Sequence, residues 1–177
     1  MPLDESFVGR SWPAETYEVS LEKIREFAVA VGADDPVHHD RDAARSAGHP
    51  DVVAPPTFAI AVSLEAAMVV LDDPDVDLDY SRVVHGEQRF VHHRPIRAGD
   101  RLVATTTIDA ARTVAGNDLL TARVDLATED GEAVCTATSM LVARVTRKTW
   151  SATPAPPATS TRSTGTSGWP PRWACPV

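Results

Sequence analysis

Between Gly32 and Asp40 the chain reads Gly-Ala-Asp-Asp-Pro-Val-His-His-Asp, which places three carboxylates and two imidazoles within nine residues. Such side chains can pass protons near neutral pH, because imidazole titrates there and a carboxylate supplies a complementary base or, held neutral, an acid. The same residue types could also bind a cation. Nothing in the spacing of Asp34, Asp35, His38 and Asp40 sets up a closed coordination shell, however, so no metal is expected. Taken alone, His38 reads as a solvated loop histidine bonded to the following turn. His39, His92 and His93 read as surface residues at loop or strand ends. His85, followed by Gly86, reads as a buried, hydrogen-bonded strand histidine, with a bulge that turns it into a cleft as the alternative. Cys135 and Cys175 have neither disulfide nor metal spacing, and Cys135 reads as a small buried apolar residue.

The elements that must position this loop follow from periodicity. Ser20 can cap a helix over Leu21 to Val31, where Ile24, Phe27, Ala28 and Val31 form an apolar stripe, and Gly32 ends it. Tyr17 to Val19 reads as a short strand before that helix. Pro36 pins the polar loop, and Asp40 caps a short helix over Arg41 to Ala47 that stops at Gly48. Thr57 to Leu71 is apolar nearly all round, which predicts a buried central helix. After an acidic loop, Asp72 to Asp79, four strand-like segments follow at about Arg82 to His92, Arg101 to Arg112, Asp118 to Thr128 and Ala133 to Arg144. In the third of these, Leu120, Ala122, Val124 and Leu126 alternate with polar neighbours. Gly99-Asp100, Gly116-Asn117 and Asp130-Gly131 predict three hairpin turns, hence an antiparallel meander. A long apolar helix wrapped by a curved antiparallel sheet is an α+β plan, and the hot dog is the simplest named fold with that order.

Composition narrows the rest. The 177 residues allow one domain over 1–146, followed by a Ser/Thr/Pro-rich tail over 147–177 with no apolar period, read as disordered. The formal charge of −8 repels a polyanion, and no basic stripe interleaves with aromatics, so nucleic acid is not an expected partner. No apolar run approaches the roughly 18 residues of a bilayer span, and the N-terminus lacks the basic-then-apolar order of a signal peptide, so a cytoplasmic location is the default and no membrane association is expected.

The frame Gly32, Pro36 and His38, with Asp35 where Asn is usual, resembles the Gly-Asp-x-Asn-Pro-x-His motif of (R)-specific enoyl hydratases and MaoC-like dehydratases. The likeness extends to Ala54-Pro55-Pro56-Thr57-Phe58, to Val84-His85-Gly86-Glu87-Gln88-Arg89-Phe90 and to Arg94-Pro95-Ile96-Arg97-Ala98-Gly99-Asp100, about 140 residues in all, and is of the N-terminal MaoC type. The resemblance implies a hot dog fold, an acyl-CoA or acyl-carrier-protein thioester as substrate, and no cofactor. It also implies hydration of a trans-2-enoyl thioester, or its reverse, by an Asp and a His that share one water. His38 stands at the family's His, but Ala33 stands at its Asp. The preferred expectation is therefore a dehydratase subunit that pairs with a complete MaoC-like chain. The alternatives are a self-sufficient homodimer using His38 with Asp34 or Asp35, and a non-catalytic thioester-binding module. Pro56, Thr57 and Phe58 at the head of the central helix, with His85 and Gly86, are the candidate substrate-binding positions; Phe58, Ile60 and Val62 read first as core.

Overall fold

The computed structural model describes residues 5–76 and 82–144. The tail assigned from composition lies outside the described residues.

Helix α1 (Leu21–Val31) begins where Ser20 Oγ accepts the Lys23 N–H at 3.1 Å and ends at Gly32, whose left-handed φ of 68° lets the chain turn sharply into the polar loop. Helix α2 (Arg41–Ser46) starts where Asp40 Oδ1 accepts the Ala43 N–H at 2.8 Å. A single 3-10 turn, Pro56–Phe58, then feeds helix α3 (Ala59–Asp72). Both prolines before it, Pro55 and Pro56, lack an N–H, so the turn forms where no donor is lost.

The sheet comprises β1 (Glu15–Glu18), β2 (Val83–His92), β3 (Arg101–Val114), β4 (Asn117–Thr128) and β5 (Ala133–Arg144), all antiparallel, in the order β1-β3-β4-β5-β2. The hairpins β3-β4 and β4-β5 form as expected, but β2 and β3 do not pair, which corrects the four-strand meander. Residues 93–100 are no tight turn. They cross over the head of α3, donating the Ala98 N–H to Val52 O (2.9 Å) and accepting the Ala54 N–H at Ile96 O (2.8 Å). Inside this crossing Arg94 forms a two-pronged bond to Asp100, at 2.7 and 3.1 Å, and Asp100 is only 7% exposed. That buried pair closes the crossing where sequence suggested a hairpin.

The concave face of the sheet holds α3. Phe58, Ala59, Val62 and Ala66 pack against Leu102, Ala104, Val124, Leu126 and Ala137, and farther along Val70 joins Ile108, Leu120 and Leu141. Leu120, Ala122, Val124 and Leu126 are all buried, as their alternation indicated. One link is polar: Thr106 Oγ1 donates to Ala66 O at 3.0 Å inside the core. The wrapping is incomplete, however. Leu64 is 39% exposed, and Glu65 is exposed while Ile60, Ala67, Met68 and Leu71 are half-buried, so one apolar side of α3 is left partly uncovered by the described residues. No helix among the described residues is long and apolar enough to cross a membrane.

Candidate active site

Leaving α1, the chain donates the Ala33 N–H to Ala28 O at 2.8 Å and enters the polar loop. Asp35 Oδ1 accepts the Val37 N–H at 3.0 Å, capping a 3-10 turn over Pro36–His38. That turn presents His38, half-buried, whose Nδ1 lies 2.7 Å from Val53 O. A carbonyl can only accept, so Nδ1 carries a proton, and in the neutral ring Nε2 is then the nitrogen with the lone pair. Val53 is itself held, donating its N–H to Val37 O at 3.1 Å. The imidazole is thus fixed in the tautomer of a base.

His39 is not a surface residue. It is half-buried, and its Nε2 donates to Ala33 O at 2.7 Å, while Arg25 Nε donates to His39 O at 2.8 Å. The segment at the alanine position is therefore clamped by its own neighbour. Asp34 and Asp35 are both exposed, and the Asp35 carboxylate is occupied by the turn it caps. No group of three or more His, Cys, Asp or Glu that could hold a metal occurs among the described residues.

Pro56 and Thr57 are exposed at the head of α3, whereas Phe58 is fully buried, with its ring edge-on to Phe27 at 5.4 Å. Phe58 as a ligand contact is thereby corrected: the 3-10 turn rotates it inward, and it offers no surface. His92, read from sequence as a simple surface residue, is exposed but tied, its Nε2 donating to Pro56 O at 2.9 Å. Two imidazoles therefore grip the segment before α3, His38 at Val53 and His92 at Pro56. No sequence signal pointed to His92, because the bond spans 36 residues.

His85 takes the alternative weighed for it. The β2-β5 register slips between His85 and Glu87, leaving Gly86 as the extra residue of a bulge. His85 is exposed and borders a narrow cleft between α3 and the sheet, walled mostly by apolar groups including Leu64, Ala67, Met68, Leu71 and Leu141. A Cβ on Gly86 would stand 2.9 Å from Met140 Cε and 3.2 Å from Val142 Cγ2, so the bulge leaves little room for a side chain there.

A five-stranded antiparallel sheet around one helix, with a base-form histidine at the helix head and an apolar cleft along its side, defines a hot dog domain of the hydratase–dehydratase type. The chain belongs to the family described as "FAS1-like, dehydratase domain region", which matches residues 6–137. It is 56% identical over 147 residues to a UPF0336 protein of Saccharopolyspora erythraea, covering 82% of this chain and 94% of that one. A UPF0336 protein of Streptomyces coelicolor is 55% identical over 145 residues, covering 81% and 97%. Among solved structures, the C-terminally truncated HadBC (3R-hydroxyacyl-ACP dehydratase) complex of Mycobacterium tuberculosis superposes with a TM-score of 0.71 at 32% identity, over 77% of this chain and 96% of that one. A MaoC-like dehydratase gives a TM-score of 0.72 at 34% identity, over 79% of this chain but 43% of that longer one.

Proposed function

We propose that this chain is a subunit of a (3R)-hydroxyacyl-thioester dehydratase or enoyl hydratase, and that a second hot dog chain with an intact Asp and His carries out the proton transfers. The observation that carries this reading is the mismatch within one loop. Val53 O holds His38 as a base, yet the position from which the resembling enzymes supply their acid is Ala33, locked through its carbonyl to His39.

Hydration adds water oxygen to the β carbon of the enoyl thioester and a proton to the α carbon, so an acid and a base are both required. His38 alone supplies half of the pair. Asp35 is a poor substitute because leaving its cap would release the turn that presents His38. In the assembled enzyme this chain contributes the cleft beside α3 as the place for the acyl chain. From Thr57, at the helix head, to Leu64, at the near end of the cleft, the helix rises about 10 Å, the reach of a thioester and several carbons. The HadBC complex and the longer MaoC-like dehydratase support the reading, the first because it joins subunits and the second because its length leaves room beyond one such domain.

The test is hydration of crotonyl-CoA and longer enoyl thioesters by the purified chain, by a MaoC-like chain that carries both catalytic residues, and by the two together. Activity confined to the mixture, or strongly raised there for long substrates, is expected. Equal activity of the isolated chain and the mixture defeats the division of labour and favours a homodimer using Asp34. Thioester binding without turnover in any combination identifies a binding module instead.

A further inference from the structure

The C-terminal end of α3 is closed by the chain's own N-terminal segment. Residues 9–12 run along β3 as a strap: the Gly9 N–H donates to Ile108 O (2.9 Å), the Ile108 N–H to Arg10 O (3.0 Å) and the Trp12 N–H to Thr106 O (3.1 Å). A second set of bonds ties this strap to the turn that follows the helix. Arg10 lies over the Trp12 ring, 5.4 Å from its centroid, and its Nη2 reaches Asp73 Oδ2 at 2.7 Å, while Trp12 Nε1 donates to the same oxygen at 3.0 Å. The Asp73 side chain is 8% exposed, so the lock is shielded from water.

What the strap holds in place is Phe7. The ring is 3% exposed, in one buried cluster with Val70 on α3, Val76 beyond it, and Ile108, Ala111, Leu120 and Leu141 on the sheet. Of these, Val70, Leu120 and Leu141 also wall the narrow cleft beside α3. Phe7 therefore stands where that cleft ends. It is the bulkiest of the buried members, and it enters from a segment outside both the helix and the sheet.

We propose that Phe7 is the end-stop of the acyl site and that the strap sets the longest chain accepted, an inference that rests on the dehydratase reading for the placing of the thioester at the head of α3. From Thr57 to Leu71 the helix rises about 21 Å, on the order of sixteen carbons of extended chain. A shorter acyl group ends among Leu64, Ala67 and Met68. A longer one meets the ring, and the strap, bonded on two sides, holds the ring against it. Removing the ring leaves apolar space lined by valine, leucine and isoleucine, and a cavity of that kind stays dry and takes up hydrocarbon. Carbons beyond the present limit then have a place to go.

The test is kcat/KM of the mixed enzyme over a homologous series of trans-2-enoyl-CoAs, from crotonyl to lengths past the stop. Phe7→Ala is expected to raise the ratio of the longest to the shortest substrate about tenfold or more. Phe7→Leu, a smaller loss of packing, moves the limit in the same direction by less. Thermal melts show whether each variant is folded, and the milder one carries the comparison where Phe7→Ala is not. A proportional fall at every length is what a merely structural ring predicts and overturns the stop, as does an unmoved limit. Calorimetric titration of the same mixtures with saturated acyl-CoAs separates the stop from the dehydratase reading. Affinity that climbs with length and levels off later in the variants upholds the stop even where no mixture hydrates an enoyl thioester, which defeats the dehydratase reading alone. Affinity indifferent to length or to both variants defeats the stop, and turnover in the same mixtures then leaves the dehydratase reading standing.

Discussion

His38 owes its chemistry to a single carbonyl: because Val53 O accepts the hydrogen bond from Nδ1–H, Nε2 is the acceptor nitrogen of the neutral ring. If the missing partner is all that idles this base, Ala33→Asp should raise crotonyl-CoA hydration by the isolated chain about a hundredfold or more, read as loss of enoyl-thioester absorbance. No gain would mean that the loop clamped by His39 cannot aim a carboxylate at the shared water. His38→Ala distinguishes the readings from the other side. In the mixed enzyme it should change the rate only a few-fold, whereas a drop of about a hundredfold would place the chemistry in this chain. Cys135 makes an independent residue-scale case. Burial pushes its thiol up from 9.0 to about 11, opposed only by a backbone bond involving Val91. A raised thiol pKa favours the protonated form in the fold, so this contribution is present below the unfolded value and is lost as pH climbs through about 11. Iodoacetamide at mildly alkaline pH should leave the Cys135 peptide unmodified in the native protein and label it in denaturant; native labelling would show that the β5 core opens readily.

At the scale of elements, the crossing over residues 93–100 holds the head of α3. Burial alone would lower the Arg94 pKa, but the bonds to Asp100 and Glu132 outweigh it and hold the guanidinium above its ordinary value. Asp100→Ala leaves a mostly buried guanidinium short of its main partner and should cost about 3 kcal/mol, measured by urea denaturation. A loss under about 1 kcal/mol would mean that Glu132 and water suffice. On α3 itself, Ala67→Phe fills the cleft. Under the proposed function the mixed enzyme should then keep crotonyl-CoA as a substrate and lose long enoyl thioesters, a shift visible as kcat/KM against chain length. Unchanged selectivity would place the acyl chain elsewhere.

For the whole molecule, α1, α2 and the strand limits were legible because they depend on local physics: caps at Ser20 and Asp40, a stop at Gly32, alternation along β4. The hot dog plan was legible too, since one apolar helix and several alternating strands allow few packings. Strand order was not. Gly99-Asp100 has the composition of a hairpin turn, and only the long-range Arg94–Asp100 pair and the bonds to residues 52–54 reveal a crossing. His92 at Pro56, His39 at Ala33 and the uncovered side of α3 were hidden for the same reason, because an all-apolar helix does not record which of its faces its own sheet reaches. By itself, then, the chain's order of residues determined the elements, their caps and the loop that carries His38, all products of interactions within a few residues. Tertiary structure alone decided which strands are neighbours, which imidazoles are tethered and which edge stays open, because those depend on groups far apart in the chain meeting in space.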